Sequence, residues 1–179
     1  MTERRKRKGA SRRHSDAQIQ TLVVDDHHTV RESLRYVFAA ARFGQIVEAS
    51  TREEAAAAVR ERHVDVVLLD LALGDGDGPV ALCEIRAIDA AVPVLVHSYY
   101  DKPRMLSQCF HAGAAGYVVK GRDKNALLQA VRQAVHTGSV WTAQQLEQIR
   151  TLDADRHPSR QQSTSWADHR GVATSATNE

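Results

Sequence analysis

The stretch that decides the fold is Val64–Asp70, VDVVLLD, with the loop that follows it, Leu71–Gly78, LALGDGDG. A short, almost wholly apolar run with no polar alternation is the pattern of a strand buried on both faces, which is the condition of a parallel sheet under helices. The run stops at an acidic residue and gives way to glycines, so Asp70 stands at the carboxyl end of a strand. Upstream, Ile19–Asp25 (IQTLVVD) has the same character and also ends in acid, Asp25-Asp26. Gln45–Ala49 (QIVEA), Val92–His97 (VPVLVH) and Gly116–Lys120 (GYVVK) complete a set of short strands. Pro93 near the start of its run is tolerated there, where a missing N–H costs little.

Helical segments fill the intervals. Thr29–Ala41 places Val30, Leu34, Val37, Phe38 and Ala41 on one face. Thr51 precedes Glu54 by three residues, a capping-box signature for an Ala-rich helix to about Arg62. Pro79 suits the first turn of a helix running to about Ile88. Asp101–His111 ends at Gly113, and Lys124–Thr137 ends at Gly138. A weaker helical pattern covers Ala143–Leu152. Strictly alternating strands and helices imply an α/β fold, a (βα)5 doubly wound parallel sheet of flavodoxin-like strand order 2-1-3-4-5. In such sheets functional groups gather beyond the carboxyl ends of the strands.

Charge divides the chain. Residues 1–14 hold seven basic side chains, Arg4, Arg5, Lys6, Arg7, Lys8, Arg12 and Arg13, against Glu3, while the remainder has 17 basic against 21 acidic. The expected domain organisation is a basic disordered leader over 1–18 and a folded unit over 19–140. A helical extension over 141–152 and a disordered tail over 153–179, poor in apolar residues, follow. A basic leader without aromatic residues is usually solvated, and less often an electrostatic arm for nucleic acid. No apolar run reaches the roughly 18 residues of a membrane span, and no secretory signal pattern is present, so a cytoplasmic protein is expected. The two cysteines, Cys83 and Cys109, have no metal-ligand spacing and read as reduced, partly buried thiols.

The strand ends carry the chemistry. Asp25, Asp26 and Asp70 converge if the first and third strands are neighbours. Like charges a few ångströms apart are costly unless a cation neutralises them, and an all-oxygen acidic site suits Mg²⁺. The fourth strand ends at Ser98, a hydroxyl able to bond a phosphoryl oxygen, and the fifth at Lys120, a point charge able to stabilise one. An aspartate, a metal site, a hydroxyl and an ammonium together are what phosphoryl transfer to a carboxylate requires.

The segments VVDDHHTVRESLR, VVLLDLALGDGDG, VLVHSYYD and GYVVK resemble the signature segments of response-regulator receiver domains, the NarL/FixJ branch in particular, over about residues 19–140. The resemblance implies a two-component signalling module, not a metabolic enzyme, that catalyses only its own phosphorylation and dephosphorylation. Asp70 would be the phosphoacceptor, and Asp25, Asp26, Asp70 and the backbone carbonyl of Ala72 would hold Mg²⁺. Ser98 would be the switch hydroxyl, Tyr117 the switch aromatic and Lys120 the lysine of the site. Phosphorylation would change the face made by the fourth helix, fifth strand and fifth helix. The implied partner is a sensor histidine kinase or phosphotransfer protein, and a homodimer through that face or through the first and fifth helices is compatible with the family.

Several residues depart from the pattern. Leu73-Gly74 replaces a common Met-Pro and loosens the loop beside Asp70. Tyr99 follows the switch hydroxyl where the family usually has a small residue; it either narrows access to Asp70 or points outward over the fourth helix. His27 and His28 adjoin the acidic pair and raise a transition-metal reading, although a histidine pair at a helix start is more often solvated. His97 reads as a packed core histidine. No helix-turn-helix pattern follows Leu152, which leaves a stand-alone receiver acting through protein contacts, a truncated or atypical transcriptional regulator, or a nucleic-acid contact through the basic leader. A dinucleotide-binding enzyme is disfavoured, since Asp25-Asp26-His27-His28 stands where a Gly-rich turn is needed.

Overall fold

The computed structural model describes residues 15–74, 78–100, 102–121 and 123–156. The basic residues 1–14, most of the Asp-Gly-Asp-Gly loop and the segment 157–179 lie outside them, as does Asp101. Five strands, β1 (Gln20–Val24), β2 (Gln45–Ala49), β3 (Val66–Leu69), β4 (Val94–Ser98) and β5 (Gly116–Val119), form one sheet of order β2-β1-β3-β4-β5. Every pairing is parallel, as the apolar runs require. Between and after them run α1 (His28–Ala40), α2 (Arg52–Glu61), α3 (Gly78–Ile88), α4 (Pro103–His111), α5 (Lys124–Thr137) and α6 (Ala143–Arg156).

The pleat sorts each strand's side chains onto two faces. Leu22, Val24, Val67 and Val96 join α2, α3 and α4 through Ala55, Val59, Leu82, Ile85 and Leu106. Val23, Leu68 and Leu95 join α1 and α5 through Leu34, Phe38, Leu128 and Val131. The expected cap of α2 forms with a shifted return bond: Thr51 Oγ1 accepts from the Glu54 N–H at 3.1 Å, while Glu54 Oε2 reaches one residue before the N-cap to accept from the Ser50 N–H at 2.7 Å. Gly138 ends α5 at φ +74°, the left-handed conformation that glycine adopts without strain.

Two expected boundaries move. Residues 15–18, assigned to the leader, include a 3₁₀ turn, Asp16–Gln18, held because Asp16 accepts from Arg132 of α5 through both carboxylate oxygens. The last helix continues a turn beyond Leu152, to Arg156. It does so because Asp153 reaches α4, accepting from Ser107 Oγ at 3.2 Å and pairing with His111 Nε2 at 2.9 Å.

The C-terminal extension closes the sheet. β5 is an edge strand, and its outward carbonyls need partners. The Val140 N–H donates to the Ala115 carbonyl at 2.7 Å, Trp141 Nε1 to the Ala114 carbonyl at 2.9 Å, and Gln145 Nε2 to the Tyr117 carbonyl at 2.9 Å. Val140 comes so close that a Cβ on Gly116 would lie 2.2 Å from its Cγ2, which is why that position has no side chain. Ile149 of α6 is buried in the core beside α4. Both cysteines are free; Cys109 is buried, while Cys83 is exposed and so departs from the partly buried state expected of it.

Candidate functional site

Parallel strands that start in register end at one edge, and there the sheet order brings β1, β3, β4 and β5 side by side. Asp25 and Asp70 each stand one residue past a strand end, since β1 and β3 close at Val24 and Leu69. The Asp25 N–H still bonds the Ala49 carbonyl and the Asp70 N–H the Val24 carbonyl, at 3.1 and 2.9 Å, which fixes both residues to the sheet. Lys120 follows β5, its N–H donating to the Ser98 carbonyl at 2.8 Å.

These anchors converge three buried charges. Lys120 Nζ donates to Asp25 Oδ2 at 2.6 Å and to Asp70 Oδ2 at 2.7 Å, and all three side chains are 3% exposed or less. Burial alone works against the Lys120 ammonium, but its hydrogen bonds to Asp25 and Asp70, and their charges, outweigh that and hold its pKa above the ordinary value of 10.5. The Ala72 N–H donates to Asp70 Oδ1 at 3.2 Å, so Ala72, whose carbonyl was the expected ligand, touches the Asp70 carboxylate through its nitrogen. Asp26 is more open and accepts from the Gly74 N–H at 3.3 Å.

One ammonium meets two carboxylates, with Asp26 beside them facing His27, so the three carboxylates are short of positive charge. Asp25, Asp26, His27 and Asp70 each offer one ligand atom, and these atoms all lie within 4.8 Å of one another. A hard, oxygen-preferring divalent cation fits the three carboxylates of that set. His27 is the member that sequence reading set aside as solvated; the signal for it was adjacency to the acidic pair.

The residues expected to act as the switch form a second layer. Ser98 is fully buried, its Oγ accepting from the Tyr100 N–H at 3.4 Å. Tyr117 is buried, and its hydroxyl donates to the Tyr100 carbonyl. The Ser98–Tyr100 segment thus touches both predicted switch side chains, and Tyr100 is a participant that the sequence reading missed, because its part is played by backbone atoms. Tyr99 meets neither expectation fully: it is 67% exposed, yet its ring centroid lies 5.2 Å from Lys120 Nζ, on the rim of the site. His97 is a packed core histidine, as expected. β4 directs it to the α1/α5 face, and burial, with the Lys120 charge, lowers its pKa from 6.5 to about 4 against the opposing pull of Asp70.

Comparison with known proteins accords with this geometry. The sequence profile of the family described as "Response regulator receiver domain" matches residues 21–132. The chain is 31% identical over 135 residues to "Response regulator UvrY" of Escherichia coli K12, a match covering 75% of this chain and 62% of that protein. It is 30% identical over 145 residues to "Response regulator GacA" of Pseudomonas aeruginosa, covering 79% and 67%. Among solved structures, a two-component response regulator of the LuxR family from an Aurantimonas species superposes with a TM-score of 0.67 at 30% identity, covering 76% of this chain and 99% of that one. The chain thus spans somewhat under two thirds of the length of UvrY. No helix among the described residues is long and apolar enough to cross a membrane.

Proposed function

The chain belongs to the response-regulator receiver family of two-component signalling, and from that premise we propose that it accepts a phosphoryl group on Asp70 in a Mg²⁺-dependent reaction and changes its α4–β5–α5 face to control a partner. The observation that carries this reading is the buried Asp25–Lys120–Asp70 bridge at the edge of the sheet. A carboxylate oxygen of Asp70 attacks the phosphorus of a donor; the new O–P bond forms as the bond to the donor breaks, and the donor leaves with that electron pair. Asp25, Asp26, Asp70 and the Ala72 carbonyl would hold Mg²⁺, which supplies charge neutralisation for the phosphoryl oxygens. Lys120, already aimed at Asp70, transfers its hydrogen bond to a phosphoryl oxygen, and the Ser98 hydroxyl donates to another. The protein acts on no other substrate: it catalyses its own phosphorylation and the hydrolysis that resets it.

Movement of Ser98 toward the phosphoryl group displaces Tyr100, whose N–H and carbonyl bond Ser98 and Tyr117. That loosens Tyr117 and α4, a population shift between two packings. Because α6 packs on α4 and the extension pairs with β5, the face that changes includes α6. The phosphodonor is a sensor histidine kinase or phosphotransfer protein, and the location is the cytoplasm, where such donors act.

The test is intact mass after incubation with Mg²⁺ and acetyl phosphate. A single phosphoryl adduct is expected for the wild-type chain and none for Asp70→Asn. No adduct on the folded wild-type chain, or an adduct that persists in Asp70→Asn, overturns the reading.

A further inference from the structure

Of the four residues whose ligand atoms cluster at the site, His27 is the one with no part in the transfer described above. Its Nδ1 lies 2.7 Å from Asp26 Oδ1 and 3.5 Å from Asp25 Oδ1. His27 precedes α1 with extended backbone, φ −84° and ψ 111°, and its own N–H donates to Asp25 Oδ1 at 2.9 Å. Its side chain makes no capping bond to the helix, so its ring contacts are with the acidic pair.

We infer that His27 is a nitrogen ligand of the site, completing Asp25, Asp26 and Asp70, and that it tunes the site toward borderline transition-metal ions relative to Mg²⁺. The inference rests on the reading of this cluster as a divalent-cation site. Mg²⁺ favours oxygen donors and retained water, and gains little from an imidazole; Co²⁺, Fe²⁺ and Zn²⁺ gain a strong bond from it. In the 2.7 Å contact Nδ1 donates to Asp26 Oδ1; a cation entering between them takes the place of that proton, with the ring proton then on Nε2, the tautomer that histidine uses for Nδ1 ligation. The four donor atoms are already gathered within 4.8 Å, so ligation needs only small side-chain rotations.

A plain ion pair between His27 and Asp26 makes the opposite forecast. There the imidazole competes with the cation for Asp26, and removing it strengthens or leaves unchanged the binding of every divalent ion alike.

The experiment titrates the full chain with Co²⁺, read by visible absorption and by hyperfine-shifted proton NMR, and separately with Mg²⁺. The wild-type complex with Co²⁺ is expected to show one exchangeable, strongly shifted imidazole N–H resonance. His27→Ala should lose that resonance and bind Co²⁺ on the order of tenfold more weakly, with Mg²⁺ affinity unchanged. His27 is 64% exposed, so the variant keeps its fold. Absence of the shifted resonance in the wild-type protein overturns the inference, as does a His27→Ala variant whose Co²⁺ and Mg²⁺ affinities move together or not at all. Failure of the wild-type chain to bind Mg²⁺ is a different result: it overturns the cation site itself, which Asp26→Asn checks by removing a carboxylate.

Discussion

The acidic edge of the sheet and the outer edge of β5 are built on opposite energetics. At the first, Asp25, Asp70 and Lys120 are taken out of water and held together, with Asp26 and His27 at the rim. Burying such charges costs several kcal/mol per ion, and their attraction only offsets it when geometry is good. At the second, Val140, Trp141 and Gln145 satisfy three backbone carbonyls, while Ile149 buries apolar surface against α4. The first region is held in a costly state that a bound cation would relieve; the second is ordinary stabilisation. A receiver of this kind keeps its instability where the chemistry is and its rigidity where the strand would otherwise be open.

The sharpest way to break this contrast is Lys120→Met. Removing the ammonium leaves two buried carboxylates facing each other, and a loss of about 3–5 kcal/mol is expected in chemical denaturation without divalent ions. Addition of Mg²⁺ should recover part of it, because a cation then supplies the missing charge. The raised pKa of Lys120 also gives a sign: its contribution is complete below the ordinary lysine value of 10.5 and is lost as pH rises through the higher folded value. The wild-type protein should therefore show an alkaline decline that Lys120→Met lacks. Equal stability of the two proteins would mean that the acidic edge carries no net electrostatic cost.

His97, beside the switch hydroxyl, gives the next largest effect and confines the cost to one side of the pH scale. Its pKa is lowered from 6.5 to about 4, chiefly by burial, so the folded protein prefers it neutral. Its contribution is whole above pH 6.5 and is lost as pH falls toward about 4. The expected loss approaches about 3 kcal/mol over that range, at 1.36 kcal/mol per unit. His97→Leu should flatten the stability curve there by that amount, measured as the difference between the two denaturation profiles. Parallel profiles would show that the imidazole is solvated when protonated.

At the β5 edge, Ile149→Ala should cost about 2 kcal/mol, the low end for a buried isoleucine, because α6 lies at the periphery and can settle. The loss should be the same with and without Mg²⁺ and across pH 5–9. Dependence on Mg²⁺ would join the two regions into one cooperative unit.

The two regions also differ in how much of them the sequence discloses. Strands buried on both faces are apolar at nearly every buried position, Thr21 and His97 being the exceptions, so β1, β3 and β4 announce themselves, and the polar residues that stop them mark the site. Asp25, Asp70, Ser98 and Lys120 are all visible in that way. The β5 edge is hidden because its partners are carbonyls, which every residue has, and because α6 mixes Gln, Glu and Arg among few apolar positions. The Asp16–Arg132 pair, separated by 116 residues, is hidden for the same reason: nothing local requires it. Tyr99 was legible as an anomaly of size, but its place on the rim depends on the direction in which the chain leaves β4.

Tyr99 gives the smallest effect and the finest test of where the acidic edge stops. Its ring centroid is 5.2 Å from the Lys120 ammonium, a cation–π contact, but the side chain is two-thirds exposed, so the contact is worth about 0.6 kcal/mol. Tyr99→Ala should therefore barely change stability. Under the proposed phosphorylation of Asp70 its effect falls on the reaction: if the ring screens Asp70 from water, its removal should quicken hydrolysis of the phosphoryl group by a factor of about 3, a barrier change of about 0.6 kcal/mol. Tyr99→Phe keeps the ring over Lys120 and should hydrolyse at the wild-type rate. If Tyr99→Ala leaves the rates of both phosphorylation and hydrolysis unchanged, the rim is solvent rather than gate, and the costly region ends at Lys120.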